Sequence, residues 1–230
     1  MDGNCIDGRK STDGIRLKII GYGEDALTFW ALKQQVSKIL NEFQDKPAPS
    51  NCLVFYRPSF GRRSRKGSSI FGEFDAIIVS SKNVYLIESK WGNLGQSKEN
   101  RLVLRREQTL RHQIFSWYLT HWDEKYRGHW GNFVEEHQDD FKREFKSDEK
   151  TMPQKGKLLA TNLEYVLTKS VEYCRTITYH NIKNVLLFFH SNKKKMKPQV
   201  EIRGAFTMIP IDYSEEVEGN FVTLFGKEDA

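Results

Sequence analysis

Two short apolar runs, Phe74–Val79 and Val84–Ile87, flank the polar stretch Ser80-Ser81-Lys82-Asn83. Runs of this length bounded by turn residues predict an antiparallel hairpin. Ile77, Val79, Val84 and Leu86 fall on one of its faces. Phe74, Ala76, Ile78, Tyr85 and Ile87 fall on the other. Strands that are apolar on both faces are covered on both, so the hairpin belongs in a central sheet with helices on each side. Leu27, Trp30, Ala31, Val36, Ile39, Leu40 and Phe43 recur near helical spacing and predict a helix from Gly23 to about Phe43, ended by Pro47 and Pro49. Leu53–Tyr56 reads as a strand. Leu110, Ile114, Trp117, Tyr118 and His121 line one side of a helix from Arg106 to about Trp122, and a further helix spans Leu158–Cys174. Val185–Phe189 is a buried strand, Val200–Ile211 holds another, and Arg101–Leu104 has room for a short one. Residues 1–15 form a polar lead-in. Glu135–Lys150 is densely charged with mixed signs and reads as an exposed helix or a mobile insertion. The expected fold is α/β, a central mixed sheet flanked by helices on both faces. It forms a single domain over 1–230, with its core at about 20–120 and 158–211 and a charged insertion at about 123–157.

Composition narrows the function classes. With 230 residues, 38% hydrophobic and 29% charged, the chain is long enough for a sizeable core and ordinary for a soluble globule. A net charge of +6 favours an anionic partner. No apolar run is long enough to span a bilayer, and Met1–Cys5 lacks a signal-peptide layout. Cys5, Cys52 and Cys174 are far apart and form no metal or redox motif, so a reducing cytoplasm is expected. No phosphate loop of the Walker type is present, which removes a nucleotide cofactor from consideration.

The ends of the hairpin carry the chemistry. A two-residue loop at Ser81-Lys82 opposes positions that sum to 163, which sets Asp75 against Glu88 and Glu73 against Lys90. A four-residue loop keeps this register; a three-residue loop shifts it by one. The period of two also puts Glu73 with Asp75, and Glu88 with Lys90, on one face. All four groups then converge in a patch roughly 5–7 Å across. Opposed carboxylates repel unless a positive charge lies between them, and oxygen ligands suit magnesium.

Asp75, twelve residues, then Glu88-Ser89-Lys90 resembles the core of the PD-(D/E)XK nuclease superfamily, the restriction-endonuclease-like fold. Phe74 stands where the proline of the motif's name would be. Gly72-Glu73-Phe74-Asp75 and Ile87-Glu88-Ser89-Lys90-Trp91-Gly92 are similar to the nuclease-related-domain and resolvase-like branches. The resemblance covers about residues 20–120. It implies a magnesium-dependent endonuclease, with manganese as a substitute, that hydrolyses DNA by a metal-activated water. It further implies that Asp75 and Glu88 bind the metal, that the Ser89 carbonyl is a further ligand, and that Lys90 orients the water or steadies charge on phosphorus. Many members add a glutamate from the first helix. Glu24 is the match, although an acid in a first helical turn is also what the helix dipole favours, and Asp25 is its rival. The two branches also carry a glutamine on the helix after the lysine strand. Gln108 and Gln113 both fit, with Gln113 beside the apolar side and therefore expected inward. Glu73 is accessory, as a ligand or as a partner of Lys90.

Arg57, Arg62, Arg63, Arg65 and Lys66 lie in a loop without acids, a candidate for phosphate contact or a solubilising loop, and Phe60 there could stack on bases. Arg105, Arg106 and Arg111 begin the following helix and could grip a DNA backbone. Lys193–Lys197 reads as a solvated basic turn. Cutting two strands with one site per chain would call for a homodimer, which no residue specifies. A catalytically degenerate nucleic-acid-binding module and an RNA-directed nuclease are the alternatives.

Overall fold

The computed structural model describes residues 18–60, 72–92, 104–145, 152–191, 206–218 and 221–225. Along the chain its elements are β1 (Ile19–Tyr22), α1 (Gly23–Gln34), α2 (Val36–Asn41), β2 (Leu53–Tyr56), β3 (Ala76–Val79), β4 (Val84–Trp91), α3 (Arg106–His121), α4 (Trp130–Phe145), α5 (Leu158–Tyr173), β5 (Ile182–His190), β6 (Phe206–Asp212), β7 (Val217–Glu218) and β8 (Phe221–Phe225). A five-stranded mixed sheet runs in the order β2-β3-β4-β5-β6. Its β2/β3 and β3/β4 pairs are antiparallel, and its β4/β5 and β5/β6 pairs are parallel. The α/β class is as the sequence implies.

The apolar alternation of the hairpin divides the core. Ile77, Val79, Val84 and Leu86 pack with α3, α4 and α5. Ala76, Ile78, Tyr85 and Ile87 pack with α1 and α2. Phe74 departs from the expected pattern. The chain bends at Asp75, and Phe74 turns to the α3 side, where it meets Phe60 and Phe115. Phe60 is itself 1% exposed and stacked on Phe115, so it is a core residue and not a free stacking surface.

The hairpin register is the one that opposes positions summing to 163, from Ala76↔Ile87 to Val79↔Val84. Ser81 and Lys82 form the loop, with Ser80 N donating to Asn83 O at 2.9 Å. Ser-Lys is not a favoured pair for such a turn, and side chains supply what the backbone preference lacks. Ser80 Oγ accepts from Lys82 N and Asn83 N and donates to Asp45 Oδ2 at 2.5 Å. Asn83 Nδ2 and Tyr85 OH donate to the same Asp45 oxygen at 3.0 and 2.8 Å. Asp45 is 1% exposed. Burial pushes its carboxyl up, but the bonds from Ser80, Asn83 and Tyr85 reverse that and hold it below the usual aspartate range.

Other elements differ from the sequence pattern in instructive ways. The helix expected from Gly23 to about Phe43 breaks at Gln35, yet Val36, Ile39 and Leu40 of α2 stay in the same core. The charged stretch read as an exposed helix or a mobile insertion is largely helical, as part of α4, but that helix is not simply exposed: its Trp130, Phe133 and Phe141 are buried in the main core. Their spacing is helical, and the charges occupy the opposite face. Leu104 is buried outside any strand, and 101–103 lie outside the described residues. A small sheet, β1-β8-β7, was not anticipated and packs on α1 through Val222 and Leu224. Gly23, with φ +82°, makes the turn from β1 into α1 that brings Glu24 to the site. Among the described residues no helix is long and apolar enough to cross a membrane.

Candidate functional site

The β3/β4 ladder ends at Ala76↔Ile87, but side chains continue the pairing. Asp75 Oδ2 accepts the Ser89 backbone N–H at 2.6 Å, which ties the end of β3 to β4 between Glu88 and Lys90. Asp75 is half-buried. Desolvation first, and the charge of Glu88 second, push its carboxyl up to about 7 against the opposing pull of the Ser89 N–H and Lys90. Asp75 therefore feels the neighbouring Glu88 charge, although its own burial is the larger cause.

Glu88 is 2% exposed and answers to α3. Gln108 Nε2 donates to its Oε2 at 2.7 Å. Arg111 Nη2 donates to its Oε1 at 2.5 Å, and His112 Nε2 lies 3.2 Å from the same oxygen. Burial raises the Glu88 carboxyl, but His112, Arg111 and Gln108 outweigh it and leave it lowered. Gln108, Arg111 and His112 stand at i, i+3 and i+4 on one helical face. Gln108 also accepts from Arg105 N at 3.0 Å, capping the helix while it reaches Glu88. His112 is held from behind by Asn184 of β5 at 2.8 Å and lies between the Phe74 and Phe206 rings.

Gln113 is not brought to the site. It is exposed, because its position on α3 is five residues past Gln108 and so turned well away from Glu88. Gln108 is the glutamine that arrives. Glu73 does not meet Lys90: it forms an isolated bridge with Ser59, and its carboxylate pairs with Arg57 at 2.6 Å. Arg57 also pairs with Asp25, so this exposed guanidinium is committed to two acids. Glu24 does reach the site. Its Oε2 accepts from Trp91 N at 2.8 Å and its Oε1 lies 3.4 Å from Lys90 Nζ. Lys90 Nζ also donates to the Ser89 carbonyl at 2.7 Å, the oxygen expected to serve as a metal ligand. Arg111 turns inward to Glu88, while Arg105 and Arg106 are exposed. Arg62, Arg63, Arg65, Lys66 and the turn Lys193–Lys197 lie outside the described residues.

The donor set has a defined capacity for a cation. Among the described residues no group of three or more His, Cys, Asp or Glu is gathered closely enough to hold a metal ion. What remains is Asp75, a carboxylate short of positive charge, beside Glu88, which already has Arg111 and His112, with the Ser89 carbonyl and Glu24 alongside, both sharing Lys90. Magnesium takes one or two carboxylates and completes its shell with water and substrate phosphate. The residues fit such an open oxygen site and do not fit a closed protein cage.

Sequence reasoning missed Asp45, His112 and Asn184. His112 stands four residues after Gln108 and so shares its helical face, whereas the glutamine expected inward was Gln113. The sequence matches no family profile, no curated protein and no solved structure.

Proposed function

We propose that this chain is a divalent-metal-dependent deoxyribonuclease with a restriction-endonuclease-like core. The observation that carries the reading is the hairpin register, which lines up Asp75, Glu88 and Lys90 at one end of the central sheet. Asp75 and Glu88 would hold magnesium, or manganese in its place, with the Ser89 carbonyl beside them. When bound, such an ion polarises a phosphate oxygen and lowers the pKa of a bound water.

The remaining work falls to the chain itself. The Ser89 N–H fixes the Asp75 carboxylate. Gln108, Arg111 and His112 fix that of Glu88. Lys90, half-exposed and tethered between Glu24 and the Ser89 carbonyl, supplies an ammonium to a scissile phosphate. The exposed Arg105 and Arg106 at the start of α3 contribute phosphate contacts next to the site. A homodimer would supply a second site for the opposite strand.

One observation favours a second reading, a nucleic-acid-binding module without catalysis: three of the roughly four acceptor sites of Glu88 are already taken by donors from α3. The two readings separate with wild type and Lys90→Ala, incubated with DNA and with RNA in magnesium. Cutting of DNA by the wild type, with binding but no cutting by the variant, supports the nuclease. Salt-sensitive binding without cutting by either protein supports the module. Faster cutting of RNA would reassign the substrate.

A further inference from the structure

The environment of Arg111 is more specific than a surface arginine requires. Its guanidinium is the one cation bonded directly to Glu88 among the described residues, apart from the His112 ring. Its side chain is 13% exposed, and its Nε is buried without a hydrogen-bond partner. The Phe74 ring lies under the guanidinium, 5.3 Å from its carbon. Gly72 makes room for it: a Cβ at that position would stand 2.3 Å from Arg111 Nη1. The cradle therefore consists of a glycine, a ring face and one carboxylate.

A carboxylate offers about four lone-pair sites. On Glu88 three are taken, two at Oε1 and one at Oε2. The fourth, on Oε2, carries no bond among the described residues, and the metal-dependent reading assigns it to an ion. A guanidinium at contact distance from that carboxylate repels such an ion, and in a partly buried site the repulsion is only weakly screened.

We propose that Arg111 is the resident counter-cation of Glu88. It neutralises the carboxylate in the free protein and keeps affinity for a bare divalent ion low. The ion is then taken up together with substrate phosphate, whose negative charge offsets the repulsion. This inference rests on the metal-dependent reading above, and it assigns Arg111 a positioning role in place of a grip on the DNA backbone.

The test is manganese binding to the free protein, followed by electron paramagnetic resonance or calorimetry in the absence of nucleic acid. Wild type, Arg111→Gln, Gly72→Ala and the double variant Arg111→Gln/Glu88→Gln are compared, with circular dichroism to check folding. Arg111→Gln should bind manganese roughly tenfold or more tightly than wild type, because a like charge has been removed next to the ion. Gly72→Ala keeps every charge but crowds the guanidinium off Glu88, so it should shift affinity in the same direction by less. The double variant should lose the gain. Unchanged or weaker binding in folded Arg111→Gln, or in Gly72→Ala if the arginine variant does not fold, overturns the inference and leaves the metal site standing. Failure of every variant to bind manganese overturns both.

Discussion

Asp75 Oδ2 accepts the backbone N–H of Ser89 at 2.6 Å, one residue beyond the last paired rung of the hairpin. This single bond brings an acidic side chain from one strand up to the acid and the lysine of the next. It also holds Asp75 where desolvation and Glu88 raise its carboxyl to about 7. Folded Asp75 therefore binds its proton more tightly than unfolded aspartate, whose pKa is about 3.9. Its contribution is most favourable below that value and is lost as pH rises through about 7.

Asp75→Asn keeps an acceptor for Ser89 but cannot ionise. Without divalent ions it should be more stable than wild type at pH 8, by up to about 4 kcal/mol, and closer to it at pH 4. Urea melts at the two pH values measure the difference. An equal gap at both would contradict the raised carboxyl.

Asp45 titrates in the opposite sense. Its carboxyl is lowered, so its contribution is present above the unfolded value and disappears as pH falls below about 4. Asp45→Ala strands the Ser80, Asn83 and Tyr85 donors and should cost about 3 kcal/mol or more near neutrality. Thermal unfolding at pH 7 and pH 3 should show that penalty shrinking in acid. A penalty independent of pH would remove the carboxylate from the explanation of the turn.

Glu88 and Arg111 should be strongly coupled. Removing one partner of a buried pair costs about 3–5 kcal/mol, because the other charge is left uncompensated. Glu88→Ala with Arg111→Ala should therefore cost less than the two singles combined, by about 1–3 kcal/mol. Chemical denaturation of the four proteins closes the cycle, and additivity would mean that the ion pair does not form in solution.

Gln108 and Gln113 make a matched comparison. Gln108→Ala loses a bond to a buried carboxylate and should cost about 1.5–3 kcal/mol, with slower cleavage. Exposed Gln113→Ala should stay within about 0.5 kcal/mol of wild type, with cleavage unchanged. Loss of cleavage in a folded Gln113→Ala protein would reverse the assignment.

Much of this arrangement was legible in the sequence, because a hairpin is local. Its turn residues and its alternation of apolar positions constrain the register, and with it the relation of Asp75 to Glu88. Gln108 and Gln113 could not be separated in this way. Their order of merit depends on how α3 is rotated against β4, which is set by packing of Ile114, Phe115 and Tyr118 in the core. The pairing of Glu73 with Arg57 was hidden because the chain bends at Asp75 and leaves strand geometry. Asp45 meets Ser80 across 35 positions of sequence, a separation that no local pattern spans. The buried face of α4 was available in Trp130, Phe133 and Phe141, but dense charge on its outer face masked it.

The most direct test of the proposed nuclease activity is cleavage of supercoiled plasmid and of linear and branched DNA by wild type and Asp75→Ala. Each would be run with magnesium, with manganese and with chelator. The expected result is cutting that requires a divalent ion and is lost in a folded Asp75→Ala protein. Cutting that survives chelator, or that persists in the variant, would contradict a metal centre built on Asp75 and Glu88.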